Sequence, residues 1–247
     1  MRLDVFLLQS GLVKSRTEAK KLILEGHVRV GEKIITQPAF SLEEDTSPSL
    51  CAVDKSHLKY VSRGGFKLEA ALAAFSLSPA GQIALDVGAS SGGFTDCLLQ
   101  NGASHVYAVD AGEGQLAASL LGDERITLKE NYNARYMKKS DFPHTPTFAV
   151  MDVSFISQTL ILPALYDVLA FGADLITLVK PQFELTRSAL NKKGIVKSDD
   201  LREDAIARVT NAATFLGFRV MGVIQSPIEG GDGNIEFLLY LKKGDSK

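Results

Sequence analysis

Charged side chains end or begin three apolar segments in the second half of the chain. Asp152 follows TFAVM, Lys180 follows DLITLV, and Glu236 stands at the start of the last apolar run. The carboxyl ends of parallel strands meet at one edge of an α/β sheet, and this edge is where ligands bind. If the last strand is antiparallel, its start lies at the same edge. Acids and lysines brought together there could hold or transfer a proton, although each one taken singly is more often a solvated strand end.

A fourth charge, Lys67, follows Arg63-Gly64-Gly65 in the first turn of a predicted helix. A cation at this position opposes the helix macrodipole by about 0.3–1 kcal/mol. Small local conflicts of this kind are typical of functional sites. Lys67 is therefore a candidate for the same site, with an ordinary surface lysine as the alternative.

A glycine-rich loop, GASSGG from Gly88 to Gly93, lies between an apolar strand and a helix, where a doubly wound sheet places its nucleotide loop. A dinucleotide fingerprint has glycine at the third position of this loop, which is Ser90 here. Because that glycine lets the backbone approach a pyrophosphate, its absence weakens an NAD interpretation and favours an adenosine ligand without phosphate, such as S-adenosylmethionine. Asp110 ends the next apolar run, where a carboxylate can bind ribose hydroxyls. The alternative is an ordinary glycine turn followed by a helix-capping aspartate.

Composition excludes several classes of protein. The 247 residues are 45% hydrophobic and 23% charged, with a net charge of −2, which is typical of a globular protein and not of a disordered or uniformly basic chain. Cys51 and Cys97 are too few for a disulfide framework, and the histidines show no zinc-ligand spacing. No segment has the roughly 18 apolar residues needed to span a bilayer, and the start is not a signal peptide. We therefore expect a cytoplasmic protein with reduced thiols and no metal site.

Hydrophobic periodicity divides the chain into two parts. Residues 1–60 predict two short helices and a small sheet, with a polar, proline-containing end at 43–57. Residues 61–247 alternate between helices and apolar strands of the buried parallel type. The last two strands are joined only by the turn-rich PIEGGDGN, which favours an antiparallel hairpin. The predicted fold class is α/β, a Rossmann-like, mostly parallel sheet with an antiparallel last strand, preceded by a small α+β domain. The parallel strands are predicted at 83–87, 105–110, 147–153 and 173–180.

Several motifs together carry a resemblance to a known family. They are RLDVFLLQSGLVKSRTEAKKLILEGHVRV near the start, and then SRGGFKLEAAL, LDVGASSGGFTDCLL, YAVDAGEGQL, MDVSFIS, LVKPQFE and GNIEFLLYL. In this order, which covers nearly the whole chain, the sequence resembles the TlyA (haemolysin A) family. That family joins an S4-like RNA-binding domain to a methyltransferase domain like that of the FtsJ/RrmJ ribosomal RNA 2′-O-methyltransferases. The resemblance implies an S4-like domain with linker over residues 1–60 and a methyltransferase domain over residues 61–247.

The resemblance also implies an activity and a set of site residues. The enzyme would transfer a methyl group from S-adenosylmethionine to a ribose 2′-hydroxyl of ribosomal RNA, without a metal. A catalytic tetrad would be carried by Lys67, Asp152, Lys180 and Glu236, with Lys180 as the proton acceptor or as the residue nearest the 2′-oxygen. The family often has threonine where Ser91 stands, and the hydroxyl is kept. The cofactor would lie on Gly88, Ala89, Ser90, Ser91, Gly92, Gly93, Phe94 and Asp110.

Basic residues near the start fit the same resemblance. Residues 1–33 carry seven lysines and arginines against four acids, and four more cations between 55 and 67 have no acid among them. An excess of this size usually marks a solvated face, but an S4-like domain implies phosphate contacts that read folded RNA largely by shape and backbone. The expected partner is ribosomal RNA or a ribosomal subunit. The candidate RNA-binding residues are Lys14, Arg16, Lys20, Lys21, Arg29 and Arg63.

Three other functions stay open. An RNA-binding assembly factor that has lost catalysis is disfavoured by the complete tetrad. A nicotinamide-dependent oxidoreductase is disfavoured by Ser90 and by the lysines at the strand ends. A pore-forming cytolysin, which the older family name suggests, would need a membrane-spanning segment that the sequence does not show.

Overall fold

The computed structural model describes residues 1–24, 26–43, 46–54, 59–231 and 233–244. The chain forms two compact units, Met1–Lys59 and Tyr60–Lys247. Each unit has its own buried apolar core. Within the described part, no helix is long and apolar enough to cross a membrane.

The first unit packs two helices against a three-stranded antiparallel sheet. The helices are α1 (Leu3–Gln9) and α2 (Arg16–Leu24), and strand β1 (Val28–Val30) lies between β2 (Lys33–Ile34) and β3 (Cys51–Val53). Strand β3 falls in the segment predicted as a polar end of this unit. Its three residues are too short a run to be seen by periodicity, and it becomes a strand because it pairs with β1, which lies far from it in sequence.

The second unit is built on a seven-stranded sheet in the order β6-β5-β4-β7-β8-β10-β9. Its strands are β4 (Ile83–Val87), β5 (His105–Val109), β6 (Ile126–Lys129), β7 (Phe148–Met151), β8 (Asp174–Val179), β9 (Phe218–Gln225) and β10 (Phe237–Lys243). Its helices are α3 (Gly64–Ala74), α4 (Gly93–Gln100), α5 (Leu162–Val168), α6 (Pro181–Glu184) and α7 (Asp199–Leu216). Two apolar clusters cover the two faces of the sheet, as an open α/β sheet requires.

Strands β4 to β8 are parallel, and β10 runs antiparallel to both β8 and β9. The predicted fold class and the antiparallel last hairpin are therefore confirmed. In the pairing of β10 with β8, Phe237 lies opposite Val179. This register places Glu236, just before β10, next to the end of β8, where Lys180 follows.

Strand β6 was not expected from the sequence. Its four residues are all half-buried at the edge of the sheet, so the apolar run that marks a central strand is missing. The strand nevertheless sets the course of the chain after it, and the following loop contributes to the site.

Candidate active site

The glycine-rich loop begins where β4 ends, and its first residue is held close to the end of β7. Gly88 has a φ of +85°, and a Cβ there would lie 2.3 Å from the backbone oxygen of Asp152. A side chain at this position would push the two strand ends apart. Glycine therefore brings the loop against the segment that carries Asp152.

Ser90, at the third loop position, has its backbone N–H already engaged. Ser90 has a φ of +47°, and its N–H donates to Asp110 Oδ2 at 2.7 Å. The other carboxylate oxygen of Asp110 accepts from the N–H of Gly112 at 2.7 Å. An N–H committed to a carboxylate is not free to bind a phosphate, so this loop fits a ligand without pyrophosphate. The carboxylate keeps lone pairs for further donors such as ribose hydroxyls.

A cavity of about 370 Å³ opens beside this loop, at the carboxyl ends of β4, β5 and β7. It joins a carboxylate to apolar walls, the general composition of a small-molecule site, and a ribose with its base would suit it chemically. Of the cofactor-binding residues predicted from the sequence, Gly88, Ser90 and Asp110 line this cavity. Gln115, Tyr132 and Asn133, which were not predicted, line it as well.

A second cavity, of about 280 Å³, lies on the other side of the loop. Lys67, Asp152 and Lys180 line it, together with Arg63 and Ser154. The remaining predicted loop residues that border it are Ala89, Ser91, Gly93 and Phe94. Gly88, Ser90, Asp152 and Ser154 border both cavities, so the two spaces meet at these residues.

Gly92 borders neither cavity. It has a φ of +89°, and a Cβ there would lie 2.4 Å from a methyl of Leu120 and 2.7 Å from one of Leu116. The glycine is therefore explained by backbone conformation and by packing against leucines.

The four predicted tetrad residues form two ion pairs at this edge. Lys67 Nζ lies 2.5 Å from Glu236 Oε2, and Lys180 Nζ lies 2.6 Å from Asp152 Oδ1. Lys180 also donates a hydrogen bond to the Ser154 hydroxyl at 2.9 Å. Glu236 is 3% exposed and does not border the cavity. It holds Lys67, whereas Lys67, Asp152 and Lys180 face the open space.

Sequence reasoning missed a buried carboxylate beneath the loop. Asp86, in β4, is fully buried and accepts a hydrogen bond from the Thr95 hydroxyl at 2.6 Å. Its other oxygen has no hydrogen-bond partner among the described residues. Burial, opposed by the bond from Thr95, raises the pKa of Asp86 to about 7. The signal in the sequence was an acid that interrupts the apolar run IALDV.

Gln115, Tyr132 and Asn133 were missed for another reason. Tyr132 and Asn133 follow β6, the unexpected strand, and no local pattern marks them as ligand residues. Gln115 accepts a hydrogen bond from the Ser90 hydroxyl at 3.0 Å. Only the fold brings these side chains to the cavity.

The predicted RNA-binding residues divide between the two units. Those of the first unit are exposed, and two of them have acidic partners: Arg16 pairs with the buried Asp4 at 3.0 Å, and Arg29 pairs with Glu32 at 3.1 Å. Arg63 precedes α3 in the second unit and borders the second cavity. Lys55, one of the basic residues counted in the sequence, lies outside the described residues. The remaining candidates, which are exposed and without a carboxylate partner among the described residues, are Lys14, Lys20 and Lys21.

Comparison with known proteins agrees with the two parts of the chain. The model of the FtsJ-like methyltransferase family matches residues 60–243, and that of the S4 domain matches residues 1–46. YqxC of Bacillus subtilis is 46% identical over 241 residues, which are 97% of this chain and 85% of that protein. A Mycobacterium tuberculosis protein, named 16S/23S rRNA (cytidine-2′-O)-methyltransferase TlyA, is 41% identical over 98% of this chain and 89% of its own.

A solved structure from Streptococcus thermophilus, of a protein that carries the name hemolysin, has a TM-score of 0.78 and 45% identity. It covers 100% of this chain and 89% of that one. The cytolysin alternative has only such names in its support. A family match over most of the sequence, and relatives above 40% identity over nearly all of it, show that the chain belongs to the TlyA (haemolysin A) family of FtsJ-like, S-adenosylmethionine-dependent methyltransferases.

Proposed function

We propose that this protein methylates a ribose 2′-hydroxyl of ribosomal RNA. The observation that carries the proposal is the meeting of the two cavities at Asp152 and Ser154. One cavity suits an adenosine without phosphate, and the other holds two lysines and an acid beside it. The M. tuberculosis relative named for the same reaction on 16S and 23S rRNA supports this assignment.

S-adenosylmethionine supplies an electrophilic methyl group, and the protein has to present an oxygen to it. Asp110, oriented by two backbone N–H groups, would hold the ribose of the cofactor. Lys180, fixed between Asp152 and Ser154, would lie nearest the 2′-oxygen and stabilise the negative charge that develops on it as the hydroxyl proton passes to solvent water. Lys67, fixed by Glu236, would contact the ribose that accepts the methyl group from the side of α3. Aligning the two reactants in this way contributes much of the rate.

In this proposal Lys180 and Lys67 touch the substrate, Asp152 orients Lys180, and Glu236 acts through Lys67. A proton-accepting Lys180 would have to be neutral. Lys180 Nζ instead forms an ion pair with Asp152 Oδ1 at 2.6 Å and donates to the Ser154 hydroxyl at 2.9 Å. We therefore favour charge stabilisation over general-base catalysis for this residue.

The first unit would bring the RNA. Its match to the S4 domain and its exposed cations support residues 1–60 as the RNA-binding domain and residues 61–247 as the enzyme. A substrate of ribosomal RNA would place the protein in the cytoplasm.

The test is a comparison of 2′-O-methylation in ribosomal RNA from cells with and without the gene. One or more sites should lose the methyl group in the deletion, and the purified protein should restore them with tritiated S-adenosylmethionine. The Lys180→Ala variant serves as the inactive control. An unchanged methylation pattern, together with no transfer by the purified protein, would overturn the assignment.

A further inference from the structure

A groove next to the catalytic edge carries positive charge that the tetrad does not use. It has a volume of about 560 Å³ and is bordered by Gln182, Arg187, Asn191 and Lys192. Gln182 lies in α6, which starts directly after Lys180, and the other three residues belong to the segment between α6 and α7. Because Gln182 is two residues from Lys180, the chain allows their Cα atoms at most about 7 Å of separation.

The charge of this segment has one sign. From residue 185 to residue 198 there are four cations and no acid. Arg187, Lys192 and Lys193 are exposed, and none of them has a carboxylate partner among the described residues. Lys197 differs, since its Nζ donates to the backbone oxygen of Ser188 at 2.7 Å and thereby ties the segment to itself.

The segment is a fixed structure. Leu190 and Val196 form an antiparallel bridge, and the side-chain oxygen of Asn191 accepts from the N–H groups of Lys193 and Ile195 at 2.8 and 3.0 Å. The buried Asn234 accepts from the Val196 N–H at 3.1 Å and donates to the Gly194 oxygen at 3.0 Å. Asn234 is two residues before Glu236, so these hydrogen bonds fix the positively charged segment close to the tetrad.

Gln182 supplies a second, independent observation. Its side-chain oxygen is buried and has no hydrogen-bond partner among the described residues. A buried acceptor without a donor is unfavourable, so a turn of the Gln182 side chain toward a donor on a ligand in the groove would remove this cost. A ribose 2′-hydroxyl or a base amino group is such a donor, whereas a phosphate alone is not.

We propose that this groove binds the RNA strand next to the methylated nucleotide, with Arg187 and Lys192 on phosphates and Gln182 on a ribose hydroxyl or base amine. The inference rests on the proposed function and adds a strand-binding site to the methyltransferase unit itself. Its purpose would be to hold the acceptor ribose against Lys180 from one side. Contacts of arginine and lysine with phosphates position a nucleic acid, and polar side chains contact its sugars and bases.

The test compares two full-length variants that each lose two positive charges. Arg187→Gln/Lys192→Gln alters the groove. Arg219→Gln/Lys242→Gln is the control, because these two residues lie beside the start of β8, at the end of the strand away from Lys180, where Lys242 pairs with Asp174. The substrate is protein-free ribosomal RNA from cells that lack the gene. For the groove variant we expect a KM for RNA raised at least about tenfold with kcat within twofold, and a log–log salt slope of RNA binding lower by about two units. The control should match the wild type.

A third variant, Gln182→Leu, tests the contribution of the Gln182 side chain to RNA binding separately from that of the positive charges. It should raise the KM for RNA about fivefold and leave the salt slope unchanged, because no phosphate contact is lost. S-adenosylmethionine affinity should stay at the wild-type value in all variants, which also reports that they are folded.

The outcomes separate this proposal from the proposed function. Active wild type with equal KM and salt slope in the groove variant would overturn the groove and leave the activity. Wild type that transfers no methyl group either to protein-free ribosomal RNA or to ribosomal subunits, while the groove variant still loses RNA affinity, would overturn the activity and leave the groove.

Discussion

Lys180 and Asp110 are the residues whose removal best separates the two sides of the proposed reaction. Lys180 borders the second cavity only, and Asp110 borders the first only. Lys180→Ala should lower the methyl-transfer rate at least about 100-fold and leave cofactor affinity within a few-fold. Asp110→Ala should weaken S-adenosylmethionine about tenfold or more, since hydrogen bonds to a charged group are lost. Single-turnover rates and calorimetric titration measure the two effects.

The side chain of Lys180 is only 13% exposed and is ion-paired, so its surroundings differ from those of a solvated strand end, which was the alternative for this residue. Its removal leaves Asp152 without its cation, and the stability of the Ala variant should fall by more than a surface change would. Thermal unfolding of Lys180→Ala with and without Asp152→Asn checks this coupling. Retention of more than about a tenth of the wild-type rate in Lys180→Ala would remove Lys180 from the proposed mechanism.

Asp86 should make the stability of the protein depend on pH. Burial raises its pKa to about 7, whereas an unfolded aspartate has a pKa of about 3.9. Between these values the folded state holds a proton that the unfolded state has lost, so stability should fall as the pH rises from about 4 to about 7 and then level off. Asp86→Asn removes the titrating group. Over this pH range the Tm of the variant should therefore change by at least about 2 °C less than the Tm of the wild type. Parallel Tm curves for the two proteins would contradict this expectation.

At the level of elements, the connection between β4 and the glycine-rich loop leaves no space for a side chain at Gly88. Gly88→Ala places a methyl group against the backbone oxygen of Asp152 in addition to a φ of +85°. Gly81→Ala is a matched control, since Gly81 has a φ of +71° and nothing within 4 Å of the added carbon. The control should lose about 1 kcal/mol for the positive φ alone.

Gly88→Ala should lose clearly more stability than Gly81→Ala and should weaken S-adenosylmethionine as the loop moves. Chemical denaturation and cofactor titration of both variants measure the difference. Equal losses would show that the loop can shift away from β7 at no cost.

At the scale of the whole molecule, the two compact units make a truncation informative. The unit from Tyr60 onward keeps its complete sheet and both covering clusters when residues 1–59 are removed. We expect it to fold and to bind S-adenosylmethionine as the full chain does, because a domain of this size buries about 70% of its surface. Its affinity for ribosomal RNA should fall sharply, and its log–log salt slope should become shallower.

Circular dichroism, cofactor titration and RNA binding at several salt concentrations check the truncation. An identical RNA affinity and salt slope for the full chain and the truncated one would contradict an RNA-binding role for the first unit.

The sequence by itself determined the class of fold and the main candidates. The alternation of apolar strands and helices is a local property, and so are the glycines after β4 and the charges after β7 and β8. The short connection before β10 favoured an antiparallel last strand, and this predicted Glu236 at the edge where the structure has it. The family motifs then related these separate segments to one reaction.

Only the tertiary structure decided which groups meet. Lys67 and Glu236 are 169 residues apart and become partners because α3 and the start of β10 lie at one sheet edge. Strands β3 and β6 form by pairing with β1 and β5, and their own short sequences have no periodicity that would predict a strand. The raised pKa of Asp86 and the buried oxygen of Gln182 likewise come from burial by the surrounding fold, since desolvation depends on every element packed around a group and not on its neighbours in sequence.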